Sequence, residues 1–212
     1  MRPTVTVNCA MTADGKIAGR SRNQLRISSA EDLERVKRMR AATDAILVGV
    51  GTVLADDPHL TVKGNPPEKN PLRVVLDSRG RTPENARVLD GRARTLIATA
   101  ENCRTSWPTA EVVRVGRSKV DLKLLLEHLY GLGVRTLMVE GGGETIFSFF
   151  EEGLVDRYCV FVGSLIVGGR TSPTPVDGEG FEGERIARLR LVSSEHLGDG
   201  VLLTYEAGNG TP

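Results

Sequence analysis

The sequence predicts an α/β fold: a mostly parallel central sheet flanked by helices and closed by an antiparallel C-terminal hairpin. Three observations carry this expectation. Short apolar runs alternate with helical patterns along the chain, as strands joined by helical crossovers do. The run "DAILVGV" is apolar without alternation, which suits a strand buried on both faces of a parallel sheet. The last stretch, "RLRLVSSEHLGDGVLLTYEA", reads as two strands joined through Gly198, Asp199 and Gly200.

Taken in order, "TVTVNCAM" alternates with period two and reads as a strand. Ser28 and Glu31 have capping-box spacing, and Leu33, Val36 and Met39 follow at helical intervals. "DAILVGV", "LRVVLDS", "RTLIATA" and "AEVVRV" are four strands. Asp121 caps the helix "LKLLLEHLYGLG", which Gly131 or Gly133 ends. "RTLMVE" is a strand, "GETIFSFFEEG" a helix, and "DRYCVFVGSLIVGG" a strand running into a glycine turn. Two polar loops, "KGNPPEKNP" (63–71) and "PTPVDGEGFEGE" (173–184), are too short to separate domains. We expect a single domain over residues 1–212, with a core of about 5–206.

Among the 212 residues, 40% are hydrophobic and 26% charged, which is ordinary for a globular protein. A formal net charge of +1 argues against a broad nucleic-acid surface. Cys9, Cys103, Cys159 and the three histidines (His59, His128, His196) are scattered without metal-ligand spacing, so no metal site and a reducing, cytoplasmic setting are expected. "MRPTVTVNCA" enters a strand pattern directly, so no signal peptide is expected. No apolar run is long enough to span a bilayer.

In open α/β sheets ligands bind at the carboxyl ends of strands, and three segments fall there. In "EGGGETIF", Gly141, Gly142 and Gly143 separate a strand from a helix. Such a turn lets backbone N–H groups and the helix N-terminus meet a phosphate; the plain alternative is a tight turn. Glu140, just before it, is placed to accept paired hydrogen bonds from an amino-substituted ring or to transfer a proton, or else is a solvated carboxylate. In "LDSRGR", Ser78, Arg79 and Arg81 are placed to read the 2′-phosphate of a nicotinamide cofactor, or form only a basic turn. The third segment is "GVGTVLADDP". Its plain reading is one turn of helix in which Thr52 caps, Asp56 and Asp57 face solvent and Pro58 stops the helix. That reading leaves two acids near a helix C-terminus, against the macrodipole. Residues 20 to 40 carry seven basic residues, mostly a solvated face. Of these, Arg26 or Arg40 is placed to hold a phosphorylated substrate.

Taken together and in order, "NCAMTADGKIA", "RISSAEDLERVKRMRAATDAILVGVGTVLADDPHLTV", "PLRVVLDSRGR", "LMVEGGGETIF" and "LIVGGRTSPTPVDGEGF" resemble the riboflavin-biosynthesis reductases, stand-alone archaeal members above all. The resemblance implies a dihydrofolate-reductase-like fold, NADPH as hydride donor and a homodimer. The implied reaction reduces the ribosyl group of 2,5-diamino-6-ribosylamino-4(3H)-pyrimidinone 5′-phosphate at C1′ to a ribityl chain. By position, Ala10, Thr52 and Asp56 match cofactor contacts, and Gly142 to Ser148, with Glu144 and Thr145, matches the pyrophosphate loop and its helix. Gln24, Arg40, Leu60 and Lys63 match substrate positions, with Arg40 a phosphate partner. Glu140 matches the substrate-binding carboxylate. Asp57 and Pro58 shape the turn. Lys63 stands where bacterial relatives have arginine, and Arg26 where many have tryptophan. Asp56 and Glu140 are the acids nearest the implied chemistry. The zinc-deaminase ligands of the bacterial fusions (HxE and CxxC) are not found in the sequence, which suits reduction before deamination. Three rival readings stand: the same reduction on the deaminated uracil substrate, a dihydrofolate reductase, and a non-catalytic sensor of NADPH or a flavin precursor.

Overall fold

Strands whose residues are apolar on both faces need cover on both faces, and every residue of β2 (Ala45–Gly49) and β4 (Thr95–Thr99) is buried. The computed structural model describes residues 1–21 and 25–208. They form two compact units: Met1–Thr4 with Lys37–Met138, and Val5–Val36 with the chain from Val139 onward.

In the first unit, β3 (Leu72–Leu76) and β5 (Glu111–Arg114) complete a parallel run ordered β5-β4-β3-β2, with β6 (Thr136–Val139) beside β2. Ile46 lies opposite Arg73, Val74 opposite Leu96, and Ile97 opposite Val112. Helix α2 (Val50–Asp56) follows β2 directly. Helix α3 (Leu122–Gly131) buries Leu122, Leu125, Leu126 and Leu129, a three- and four-residue spacing that lines one face. Each such leucine is worth about 2 kcal/mol of burial. Asp121 caps this helix as expected, accepting the Leu124 N–H at 3.0 Å.

In the second unit, β1 (Thr4–Thr12) pairs in parallel with β7 (Arg157–Gly163), Asn8 facing Cys159. β7 then pairs antiparallel with β9 (Gly200–Ala207), and β9 with β8 (Leu189–Leu197). A mostly parallel arrangement closed by antiparallel C-terminal strands is therefore what the chain forms. Helix α4 (Gly143–Glu151) buries Ile146, Phe147 and Phe149. β7 stops at Gly163 instead of continuing, because the Leu165 N–H turns back onto the Gly163 carbonyl at 2.8 Å.

Helix α1 (Ala30–Ala41) departs from its expected pattern. The capping hydroxyl is that of Ser29, which accepts the Asp32 N–H at 3.1 Å, not that of Ser28. Ser28 instead donates to the Asp32 carboxylate. Leu33 is 48% exposed, and the buried residues are Asp32 and Arg35. Arg35 donates through Nε to Asp32 Oδ1 and through Nη2 to Asn8 Oδ1, each at 2.8 Å. Burying these charges is tolerable because they are hydrogen-bonded to one another.

Asp14 ties the end of β1 to the segment after β7. Its carboxylate accepts from the Thr12 hydroxyl (2.6 Å) and from the N–H groups of Val167 (3.2 Å) and Gly168 (2.6 Å). The Thr12 hydrogen bond, with help from the Gly168 and Val167 amides, lowers its pKa from 3.8 to about 2. The folded form thus binds this proton less readily than the unfolded chain. The stabilisation is complete above pH 3.8 and is lost as pH falls through about 2. The Asp14→Asn variant should melt at a lower temperature than the native chain at neutral pH, and the gap should close towards pH 2. Calorimetric scans of both proteins across that range check this.

Candidate functional site

In the first unit, two turns follow the carboxyl ends of adjacent parallel strands, since Gly49 at the end of β2 pairs with Leu76 at the end of β3. The first turn begins in α2, whose N-cap is Gly49, with no capping side chain. Thr52 therefore does not cap. It sits half-buried inside the first turn of α2, because the helix starts three residues earlier than the threonine reading required. The helix ends at Asp57, which adopts φ 42° and ψ 60° and donates its N–H to the Val53 carbonyl. Leu60 is also left-handed, at φ 50°. These are the described non-glycine residues with positive φ, and both fall in one short stretch.

The paired aspartates have different surroundings. Asp57 accepts the Arg87 N–H at 2.7 Å and lies 3.4 Å from that guanidinium, so it fastens the turn rather than merely facing solvent. Asp56 is half-buried, and among the described residues no group donates to its carboxylate. Desolvation pushes its pKa up. Arg40, at the end of α1, reaches the Thr61 carbonyl at 3.5 Å, and so lies against the segment that carries Lys63. Lys63 is exposed, whereas Leu60 is 2% exposed and packs inward.

The second turn carries Ser78, Arg79 and Arg81. The Ser78 hydroxyl accepts the Val120 N–H at 3.0 Å, and both arginines are exposed. Beneath them Asp77 is fully buried. Its Oδ2 accepts the Thr82 N–H (2.6 Å) and hydroxyl (2.8 Å), and Arg81 Nε lies 3.9 Å from Oδ1. Sequence reasoning passed over Asp77, although an acid inside "VVLDS" is a signal that something must hold it.

In the second unit, Ala10 lies on β1 opposite Phe161, and Glu140 is half-buried just after β6. Gly141 has φ 121°, a conformation that favours glycine, and a Cβ there would enter open space. Gly142 is the N-cap of α4, accepting the Ile146 N–H at 3.0 Å. The first amides of α4, where Glu144 and Thr145 lie, lack helical acceptors and suit an anion. The open side at Gly141 and these amides fit the phosphates of a dinucleotide. Gly143 is different: a Cβ there would meet the Thr174 carbonyl at 2.6 Å and the Asp177 carboxylate at 2.7 Å. Asp177 itself is held by the Thr174 N–H (3.0 Å) and hydroxyl (2.7 Å), so the acidic loop folds back onto the glycine turn. A cavity of about 560 Å³ lies alongside, lined among others by Lys16, Glu144, Ser148, Arg170 and Asp177. Gln24 lies outside the described residues.

The Gly143→Ala variant should lose about 1–3 kcal/mol of stability, because the Thr174 backbone has to move. Urea unfolding checks this.

Known proteins share the sequence and the fold of this chain. The model of the RibD C-terminal domain matches residues 3–203. A protein of Archaeoglobus fulgidus named 2,5-diamino-6-ribosylamino-4(3H)-pyrimidinone 5′-phosphate reductase is 48% identical, over 96% of this chain and 98% of its own length. One of the same name from Methanothermobacter thermautotrophicus is 46% identical, over 97% and 98%. The crystal structure of a Thermotoga maritima deaminase/reductase superposes with a TM-score of 0.79 at 27% identity, over 97% of this chain. This chain spans 57% of that longer one. The motifs quoted from the sequence had implied as much, and the conclusion is that this chain belongs to the RibD C-terminal domain family.

Proposed function

We propose that this chain is an oxidoreductase of riboflavin biosynthesis, a single reductase domain over residues 1–212 with a family-like core of about 5–206. On this reading it reduces 2,5-diamino-6-ribosylamino-4(3H)-pyrimidinone 5′-phosphate to its ribityl form, with NADPH as donor, as a cytoplasmic homodimer. The observation that carries the reading is the 48% identity to a reductase of that name, spanning nearly the whole of both chains.

When bound, NADPH would supply the hydride for reduction at C1′ of the ribosyl group. The chain's own residues bind, orient and exclude water. The amides at the start of α4, Gly141 and Gly142, with Ala10, Thr52 and Ser78, are assigned to the cofactor, and the exposed Arg79 and Arg81 to its 2′-phosphate. Arg40 and Lys63 are assigned to the substrate phosphate, Lys63 as a point charge without the bidentate fork of arginine. Glu140 is assigned to the amino groups of the pyrimidine ring. Reduction at C1′ also needs one proton, at the ring oxygen or the imine nitrogen. Asp56, whose pKa desolvation raises, and Glu140 are the acids assigned nearest that transfer, and water or the substrate itself can also supply the proton.

The test is oxidation of NADPH with three substrates in parallel: the diaminopyrimidinone ribosyl phosphate, its deaminated uracil counterpart and dihydrofolate. Preference for the first is expected, and turnover of dihydrofolate alone would overturn the reading. Asp56→Asn should lower turnover by about a hundredfold or more. It should also leave the melting temperature unchanged or higher. The folded pKa of Asp56 is raised, so ionising it at neutral pH weakens the fold, and removing the charge relieves that cost. Arg40→Ala and Lys63→Ala should each raise the substrate KM with little change in kcat, the pattern of a lost binding contact; steady-state kinetics decide.

A further inference from the structure

Arg73 is the largest fully buried side chain among the described residues, and it stands on a central strand where apolar neighbours would pack without a charge. A guanidinium there is tolerable only with all its N–H groups engaged. Nε donates to the Thr95 hydroxyl (2.9 Å) and Nη2 to the Ala93 carbonyl (2.7 Å). Nη1 reaches the Asp90 carboxylate (2.9 Å) and the carbonyls of Arg87 (3.1 Å) and His59 (3.3 Å). The other oxygen of Asp90 meets His59 Nδ1 at 2.9 Å. His59 is thus gripped twice, at its carbonyl by Arg73 on the strand and at its ring by Asp90 in the turn after Leu89. It directly precedes the left-handed Leu60 and the segment leading to Lys63. A second tie holds the other end of this stretch, since the Arg87 N–H donates to Asp57.

A strained stretch keeps one conformation only if its surroundings over-determine it. We propose that Arg73, with Asp90 as its link to the His59 ring, is a positioning residue that fixes the His59–Lys63 backbone for binding the phosphorylated substrate. The assignment rests on the function proposed above. A guanidinium serving only to hold the Arg87–Leu89 segment would have no need of the His59 carbonyl, and Asp90 no need of the ring.

The test is steady-state kinetics and cofactor binding for the full chain, the Asp90→Asn variant and the Arg73→Lys variant, each with its melting temperature. Asp90→Asn keeps the shape of a partly exposed side chain but weakens both grips, and it should raise the KM for the diaminopyrimidinone ribosyl phosphate about tenfold. NADPH affinity should stay unchanged. Arg73→Lys keeps the charge without the fork and should show the same signature more strongly. A purely structural role would reduce the number of folded, active molecules, so kcat would fall with the folded fraction at an unchanged KM. That pattern, or native kinetics in a folded Asp90→Asn variant, overturns the proposal even where Arg73→Lys fails to fold. Absence of turnover by the native chain would overturn the functional reading, and this assignment with it; turnover by the native chain with an unshifted KM in the variants sinks this assignment alone.

Discussion

Burying a guanidinium costs several kcal/mol unless the protein supplies acceptors in place of water. On β3, where Arg73 is the second residue, the ladder uses the strand carbonyls. Apart from the Thr95 hydroxyl on β4, the acceptors come from the connecting segments, and this ties several of them in the first unit together. The segments around His59, Arg87, Asp90 and Ala93 converge on Arg73 because each brings an oxygen that the charge requires. Loops of this composition would otherwise have little reason to take one shape. One polar residue in an apolar sheet thereby makes several surface turns interdependent.

The adjacent aspartates divide two tasks. Asp57 closes α2 in a left-handed conformation and is pinned to Arg87. Its neighbour Asp56 gains no such partner and sits where desolvation raises its proton affinity. A carboxylate that costs stability where it stands is the kind of group a binding or reacting site retains. The same contrast holds at the glycine turn. Gly141 faces open space, while Gly143 is small because Thr174 and Asp177 press against it. Three identical letters thus stand in different surroundings, one open and one packed.

Much of the fold was legible, because unbroken apolar runs, period-two alternation and the Asp121 cap are local signals that packing did not override. What was not legible was long-range. Leu33, Val36 and Met39 suggested the inner stripe of α1, yet the inner residues are Asp32 and Arg35, since Asn8 on β1 offers a partner that no helical spacing reveals. Thr52 looked like a cap because threonine is a good one, but glycine also serves at the N-cap, and here Gly49 takes that place without a side-chain cap. For the candidate site, the glycine turn, the paired acids and Arg79 with Arg81 stood out at strand ends, whereas Gln24, Leu60 and Lys63 were marked only by the resemblance. Arg73 and Asp90 could not, because each acts through residues distant in sequence, whereas Asp77 and Asp177 bond to Thr82 and Thr174 close by and were passed over.

The outermost strand, β8, is mostly exposed and carries Leu189, Leu191 and Val192 at the surface. Its ladder with β9 shifts register between Leu191 and Ser193. Stacking into a fibril demands an unbroken repeat of strand upon strand. The bulge interrupts that repeat near the middle of β8, and Arg190 and Glu195 set charge along the rest. The irregularity therefore denies β8 the flat, unbroken edge that strand-upon-strand stacking needs.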